Sequence, residues 1–200
     1  MAVITSDQFE EYSKGGGQFF TLKDGESANV RFLYNNYTDL RAHSVHDFVN
    51  PGNSATIDCA RQQGDPVDTC KWCASGYKPV PRIILAMFNE DTQSIQYWKK
   101  SLSWVQNTLK PYFDEIAPGQ PISGQIYKIK RTGKDLNTIY TPIPVGANDN
   151  KTCDQFGEVK DAFELNIIKP NNYDYNPNMS TNTNNTTQIP TATRRTMDMF

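Results

Sequence analysis

Apolar and polar residues alternate along much of the chain between residues 18 and 145, which predicts a protein built mainly of β-strands. β-Branched and aromatic residues are concentrated in five segments: 28–34, 81–88, 94–99, 125–131 and 137–141. Polar residues after the second and fourth segments predict two hairpins, 81–99 and 125–141. The nearly unbroken apolar run 81–88 predicts a buried central strand, and residues 41–49 could continue the first strand or pair with it.

One amphipathic helix is predicted between the two hairpins. Trp104, Val105, Thr108 and Leu109 fall near one face of residues 103–109, and a kink or restart is expected at Pro111. About five strands with a single helix is the arrangement of the OB-fold, a small, partly open five-stranded barrel. The pattern alone does not separate this fold from other small barrels.

Metal-binding residue types are concentrated in one part of the 200-residue chain: both histidines and three of the four cysteines fall within residues 43–73. Cys70 and Cys73 form a C-x-x-C pair, which places two thiolates on one side of a tight turn. Zinc in structural sites takes four nitrogen or sulfur ligands in a closed tetrahedron. The spacing therefore predicts a structural zinc site made of His46, Cys59, Cys70 and Cys73, with His43 as the rival to His46.

Two other interpretations of the cysteines stay open. A redox-active C-x-x-C is expected to open a helix after a strand in a βαβ unit, whereas Cys70 and Cys73 lie in a polar loop between strands. Unligated thiols are the remaining alternative, and Cys153 is interpreted as a free thiol without a role. A site closed by four protein ligands has no open position for catalysis. No other catalytic motif is visible, so we expect no enzymatic activity.

Composition divides the chain into three parts. The core is assigned to residues 18–168, with a zinc-binding subdomain at about 43–76. Residues 1–17 end in three glycines and are expected to form a flexible arm, either a floppy terminus or a self-association arm. Residues 170–193 contain seven Asn, six Thr and three Pro, so the segment 169–200 is expected to be a disordered Asn/Thr-rich tail.

The N-terminal residues resemble no secretory signal, and no apolar run is long enough to span a membrane, so a cytoplasmic location is expected. The net charge of −2 at first argues against nucleic acid as a partner, because nucleic-acid-binding domains are usually strongly basic. The charge is unevenly distributed, however. Residues 14–140 hold 15 basic and 12 acidic residues, and the ends of the chain are acidic. The overall balance therefore does not exclude DNA.

Binding to single strands requires basic groups for the phosphates and aromatic faces on which bases stack. The predicted strands combine both residue types, although most aromatic residues in strands belong to a core. The candidate DNA contacts are Arg31, Tyr34, Tyr97, Trp98, Lys99, Lys100, Lys128, Lys130, Arg131, Lys134 and Tyr140. Trp104 is assigned to the core.

The order His46, Cys59, Cys70, Cys73 in a strand-rich chain is similar to the zinc site of phage helix-destabilising proteins, the zinc-containing single-stranded DNA-binding proteins of phage replication. Segments 20–35 and 127–140 also resemble strands of these proteins, and the resemblance covers about residues 18–145. It implies an OB-fold core with an inserted zinc knuckle and binding of single strands without sequence preference. The tails of the family are usually acidic, whereas this one keeps only Asp198 and Phe200 of an acidic-hydrophobic partner peptide.

We therefore expect a protein that coats and protects single-stranded DNA during phage replication or recombination. Contacts with replication proteins through the tail, and with other copies through the N-terminal arm, are further expectations. A zinc-ribbon adaptor that binds protein but not DNA is the alternative. A nuclease is disfavoured because the acidic residues are scattered rather than clustered around a divalent metal.

Overall fold

The structure is a computed structural model and describes residues 18–49, 54–134 and 137–177, so the predicted N-terminal arm lies outside the described residues. The strands are β1 (Ser27–Phe32), β2 (Ala42–Phe48), β3 (Ala55–Asp58), β4 (Val80–Asn89), β5 (Ser94–Ser101), β6 (Ile126–Thr132) and β7 (Ile139–Val145). A one-turn helix, α1, spans Lys71–Ala74, and a longer helical stretch, α2, spans residues 102–114.

The seven strands form a single antiparallel sheet that is not closed within the described residues. The order is β3-β2-β4-β1-β6-β7, and β5 pairs with the other edge of β4. The prediction of a mainly β protein with two hairpins is confirmed, and β4 is the predicted buried central strand. The expected number of about five strands is too low, because β2 pairs with a short strand, β3, that the apolar pattern does not reveal.

Strand β4 has two different neighbours along one edge. Its first half pairs with β2, where Ile83 lies opposite Ala42, and its last residues pair with β1, where Met87 lies opposite Phe32. The segment that contains β2, β3 and α1 is therefore attached beside β4 as an extension of the sheet. The rest of the sheet, from β5 through β4 and β1 to β7, holds the main hydrophobic core.

Helix α2 passes through Pro111 without ending. Its segments are Leu102–Trp104, Val105–Leu109 and Lys110–Asp114, and the middle segment is one turn of π-helix in which the N–H of Lys110 donates to the carbonyl of Val105. Proline lacks an N–H and its ring clashes with the carbonyl four residues earlier in a regular helix. A wider turn just before the proline relieves this conflict, so the predicted kink is a π turn instead.

The helix packs its apolar face onto the sheet, as predicted. Val105, Leu109 and Phe113 are buried against the main core, and the ring of Phe113 lies 5.5 Å from that of Phe32 on β1. Tyr127 on β6 joins this aromatic group, with its ring 5.3 Å from that of Phe32. Burial of these large side chains is the principal stabilising contribution that a core of this type makes.

The predicted start of the disordered tail, residue 169, is wrong for the part of the tail that the structure describes. Lys169 forms a bridge with Ile57, and Tyr175 is buried in a second hydrophobic cluster around α1. The Asn-rich composition does not indicate this order, because backbone hydrogen bonds and the buried ring of Tyr175 hold the segment in place without an apolar pattern. Among the described residues, no helix is long and apolar enough to cross a membrane.

Candidate metal centre and nucleic-acid interface

The four predicted zinc ligands come together in the structure. The ligand atoms of His46, Cys59, Cys70 and Cys73 all lie within 4.8 Å of one another, and all four residues are buried. His46 lies in β2, Cys59 directly follows β3, Cys70 directly precedes α1 and Cys73 lies within α1. The tertiary fold thus brings residues from three separate segments to one point.

The β2–β3 hairpin positions two of these ligands. His46 lies opposite Ile57 in the hairpin, and the chain leaves β3 so that the N–H of Cys59 donates to the carbonyl of Ser44 at 2.9 Å. This pairing carries Cys59 past the end of the strand and back toward the imidazole of His46.

Helix α1 forms the knuckle that the C-x-x-C spacing predicts. The N–H of Ala74 donates to the carbonyl of Cys70, and the N–H of Gly76 donates to the carbonyl of Cys73, both at 2.9 Å. Gly76 has a φ of +87°, which is the left-handed region that glycine enters without strain. The turn therefore closes tightly enough to aim both thiols at the same side.

Three of the distances between the ligand atoms are close to those around a tetrahedral zinc ion. With Zn–S bonds of about 2.3 Å and a Zn–N bond of about 2.0–2.1 Å, neighbouring ligand atoms of a tetrahedron are about 3.5–3.8 Å apart. The Sγ atoms of Cys59 and Cys73 are 3.6 Å apart, and Nε2 of His46 lies 3.3 Å from Sγ of Cys70 and 3.7 Å from Sγ of Cys73. Three thiols and one imidazole form a donor set that zinc prefers, so this buried cluster could bind a metal ion and suits a structural zinc.

The two thiols of the knuckle differ in acidity. Burial alone would raise the pKa of Cys70, but the backbone N–H groups of Cys73 and Trp72 and the side chains of Asn171 and His46 outweigh it and lower this pKa to about 6. Burial, and then the neighbouring thiol of Cys59, raise the pKa of Cys73. Metal binding requires thiolates, and of the two knuckle thiols Cys70 supplies one more readily.

The rival ligand, His43, lies outside the cluster. Residues 43 and 46 are separated by an odd number of positions in the same strand, so their side chains leave opposite faces of β2. The ring of His43 lies 5.9 Å from that of Phe163. Cys153 is half-buried beside another hydrophobic cluster and does not belong to the group of four ligands.

A groove lies between α2 and the edge strand β7. It is a cavity of about 600 Å³ lined by Lys100, Trp104, Asn107, Thr108, Pro111, Tyr112, Thr138, Ile139, Tyr140, Thr141 and Pro142. Nζ of Lys100 lies 4.0 Å from the ring centroids of Trp98 and Tyr140 and 4.7 Å from that of Trp104. The lysine is therefore enclosed by three aromatic rings and borders the groove.

The electrostatic character of Lys100 follows from this enclosure. Burial among the rings lowers its pKa to about 8, because the ammonium ion loses part of its hydration. The aromatic faces attract the cation that remains. Among the described residues, no ion pair with a carboxylate involves Lys100.

The structure divides the predicted DNA contacts between the two faces of the sheet. Lys100 and Tyr140 border the groove, whereas Trp98 is 6% exposed and belongs to the main core beneath Lys100. The guanidinium of Arg131 lies 5.9 Å from the ring of Tyr140. Lys128 and Lys130 are exposed on the opposite face of β6, where Lys128 lies opposite Ile143 of β7. Lys134 is exposed in the connection between these strands.

Arg31 is misassigned as a DNA contact. Its side chain is 4% exposed and pairs with Glu90 and with Asp149, whose Oδ1 lies 2.8 Å from Nη1. The same guanidinium donates to the carbonyls of Ser123 and Gly124. Arg31 therefore connects β1 to the loop before β6 and to the segment after β7.

Three more of the predicted contacts serve the fold. The hydroxyl of Tyr34 accepts from the N–H of Ala86 at 3.0 Å, and that of Tyr97 accepts from the N–H of Lys160 at 2.8 Å. Lys99 pairs with Asp47 at 2.8 Å on the face of β5 opposite Lys100. Although burial opposes it, the hydrogen bonds from Lys99, Thr56 and Arg82 lower the pKa of Asp47, which keeps the carboxylate charged.

Sequence reasoning misses the contribution of α2 to the groove. Trp104, which the apolar pattern assigns to the core, is half-buried and borders the cavity together with Thr108, Pro111 and Tyr112. Positions 104, 108, 111 and 112 follow the helical spacing of one face, and this spacing is the signal available. The same spacing is typical of a core face, and the buried residues Val105, Leu109 and Phe113 of this helix favour that interpretation.

Comparison with known proteins identifies no relative, since no protein-family model, curated protein or solved structure matches this chain.

Proposed function

We propose that this protein binds single-stranded DNA, largely without regard to sequence, through the groove between α2 and β7, and that it has no enzymatic activity. The observation that carries the proposal is the position of Lys100 beside Trp98, Trp104 and Tyr140 at the border of an open cavity. A cation beside aromatic rings at the border of a groove is the combination that single strands require.

The groove supplies both parts of this recognition. Bases stack on the half-buried side chains of Trp104, Tyr112 and Tyr140 in this proposal, while Lys100 contacts a phosphate. Stacking contributes about 1–3 kcal/mol per base and tolerates every base. A duplex keeps its bases paired and stacked inside, so it gains little from such a groove.

The strand connections support an OB-type barrel as the fold. Without the inserted β2 and β3, the remaining strands follow the order β5-β4-β1-β6-β7, with α2 between β5 and β6. OB-folds bind oligonucleotides across the face of their second and third strands and with the loops beside them. In chain order these strands are β1, β4, β5, β6 and β7, so β5, which carries Trp98 and Lys100, is the third.

In this proposal the protein acts like the phage helix-destabilising proteins, in the cytoplasm of a host cell, and coats strands exposed during replication or recombination. The metal site has a structural role, in which His46, Cys59, Cys70 and Cys73 would hold zinc and thereby fix the insertion between β1 and β4. Zinc supplies no reaction here, because four protein ligands complete its tetrahedron.

Tryptophan fluorescence tests the proposal directly. Poly(dT) should quench the emission at low salt, because Trp104 borders the groove, and a duplex of equal length should not. The Trp104→Phe variant should lose most of the quenching, whereas Trp72→Phe, which changes a residue of the knuckle, should keep it. Band shifts over a salt series should weaken as salt rises, since lysine and arginine contacts release counterions.

Equal affinity for duplex and single strands would contradict the proposal. If the protein binds zinc but binds neither single-stranded nor duplex DNA, the protein-binding adaptor is favoured instead.

A further inference from the structure

After the last strand, the chain returns to the four metal-ligand residues. Residues 169–175, here called the C-terminal strap, run beside β3: the N–H of Lys169 donates to the carbonyl of Thr56, and the N–H of Asp58 donates to the carbonyl of Lys169, both at 2.8 Å. Lys169 and Ile57 form a parallel bridge. The strap thus begins as a backbone extension of the hairpin that supplies His46 and Cys59.

Asn171 reaches from the strap to the metal ligands. Its Nδ2 donates to Sγ of Cys70 at 3.1 Å and to the carbonyl of Asp58 at 3.0 Å. The backbone carbonyl of Asn171 accepts from Nε1 of Trp72 at 3.3 Å. One residue therefore bonds to the knuckle at two points and to the end of β3 at a third.

The strap is fastened again beyond Asn171. Nζ of Lys71 donates to the carbonyl of Tyr173 at 3.1 Å, and Tyr175 is 9% exposed. The ring of Tyr175 lies 4.8 Å from that of Phe48 and 6.3 Å from that of Trp72. These contacts join β2, α1 and the strap in a single hydrophobic cluster that also contains the three ligand cysteines.

We propose that Asn171 is a positioning residue of the metal centre and that the strap and the bound metal stabilise each other. An amide N–H that donates to a thiolate offsets part of its charge and fixes the direction of its lone pairs. Outer partners of this kind typically contribute roughly 10- to 100-fold to metal affinity. Because such coupling is reciprocal, bound metal should hold the strap in place to the same degree.

The coupling has a structural cause in the division of the site. The hairpin and the knuckle are separate segments that meet through the ligand side chains and through the ring of Phe48, which lies 5.1 Å from that of Trp72. The strap contacts both segments and so lowers the entropic cost of bringing them together when the metal binds. This inference concerns the metal centre alone and does not depend on DNA binding.

The test compares two Asn→Asp substitutions at neighbouring positions in the full chain. Asn171→Asp keeps the size of the side chain but replaces the donor with a carboxylate beside the thiol of Cys70, whereas Asn172→Asp makes the same chemical change at an exposed position. Zinc affinity is measured by competition with a chromogenic chelator. Asn171→Asp should bind zinc roughly 10- to 100-fold more weakly, and Asn172→Asp should stay within roughly twofold of the unaltered protein.

Cobalt supplies a readout that a merely structural role would not move. In the cobalt-loaded protein, Asn171→Asp should shift the thiolate-to-cobalt charge-transfer band, and Asn172→Asp should leave it in place. Tyr175→Ala loosens the strap without altering the donor, so it should weaken zinc without the full spectral shift. If Asn171→Asp fails to fold, Asn171→Ala replaces it in both measurements.

The reciprocal effect is measured by limited digestion with chymotrypsin, which cuts after tyrosine. Zinc should slow cleavage after Tyr173 and Tyr175, and Asn171→Asp should reduce this protection in proportion to its loss of affinity. Unchanged zinc affinity and an unchanged cobalt spectrum in Asn171→Asp would overturn the role of Asn171. Cleavage at the same rate with and without zinc would overturn the coupling.

Discussion

The rings of Trp98 on β5 and Tyr140 on β7 lie 4.9 Å apart and are inclined by 72°, although β5 and β7 share no ladder of hydrogen bonds in the described part of the chain. The two strands lie at opposite ends of the main sheet, so an edge-to-face aromatic contact bridges them where backbone pairing does not. Lys100 lies over both rings. The gap between β5 and β7 is therefore lined by aromatic side chains and by the ammonium group of Lys100.

Tyr140 is the groove residue whose removal should be most informative. Its ring is half-buried, and Tyr140→Ala removes one stacking face, so single-strand affinity should fall by about 1–3 kcal/mol, or roughly 5- to 150-fold in Kd. Fluorescence titration with poly(dT) measures the change. Tyr77→Ala, an exposed tyrosine of the knuckle segment, serves as the control, and an equal loss in both variants would speak against the groove.

Two lysine variants test which face of the sheet would bind DNA in the proposed function. Lys100 borders the groove and Lys128 lies on the opposite face of the sheet, so Lys100→Met should weaken single-strand binding clearly and Lys128→Met only slightly. Band shifts at several salt concentrations provide the measurement, and the salt slope should decrease by about one unit in the first variant. The reverse ranking would move the binding surface to the outer face of β6.

Single-strand binding should depend on pH through Lys100. Its pKa of about 8 in the free protein reflects burial, and a bound phosphate stabilises the ammonium form, so the pKa rises in the complex. The contribution of this group is complete below about pH 7 and is lost as the pH rises above about 8, by up to about tenfold in Kd per pH unit. Lys100→Met should remove this dependence, and a titration between about pH 7 and about pH 9 checks it.

Loss of a metal ligand should abolish zinc binding and destabilise the insertion. Cys59→Ser replaces a strong thiolate ligand with a hydroxyl, and folding free energy that depends on structural zinc is lost with it. Zinc content and thermal unfolding with and without chelator measure the effect. Cys153→Ser should match the unaltered protein in both assays, and a reduced, folded Cys59→Ser protein with full zinc content would contradict the assigned ligand set.

Arg31 should matter for stability and not for DNA contact. Arg31→Met leaves Glu90, Asp149 and two carbonyls without their donor, so the free energy of unfolding should fall by about 3 kcal/mol. Urea unfolding measures this loss. The folded fraction of the variant should bind poly(dT) with unchanged affinity, and a selective loss of binding at full stability would return Arg31 to the DNA surface.

Local patterns are sufficient for the hairpins and for the ligand residues. The turn at 89–93 and the apolar run in β4 fix one hairpin through neighbouring residues alone, and the C-x-x-C spacing defines the knuckle in the same way. The short strand β3 escapes prediction because four residues carry too little periodicity. Its pairing with β2 is what brings Cys59 near His46.

The nucleic-acid candidates show the limit of such patterns. Alternation along β5 separates Tyr97 and Lys99 from Trp98 and Lys100, and the structure confirms that separation. It does not reveal which face meets solvent, because that depends on what packs against each face. Asp47 neutralises Lys99 from a strand 52 positions away in the chain, whereas the described residues place no acid in an ion pair with Lys100.

The sequence by itself determined a mainly β chain with two hairpins, one helix and a cluster of zinc-ligating residues, since each of these depends on residues close together in the chain. Only the tertiary structure decided which histidine joins the cysteines, which cations stay free of carboxylates and where the C-terminal strap is anchored. These outcomes depend on contacts between distant segments, such as Asn171 with Cys70 or Arg31 with Asp149. Spacing along the chain carries no information about such distances, because the packing of the core sets them.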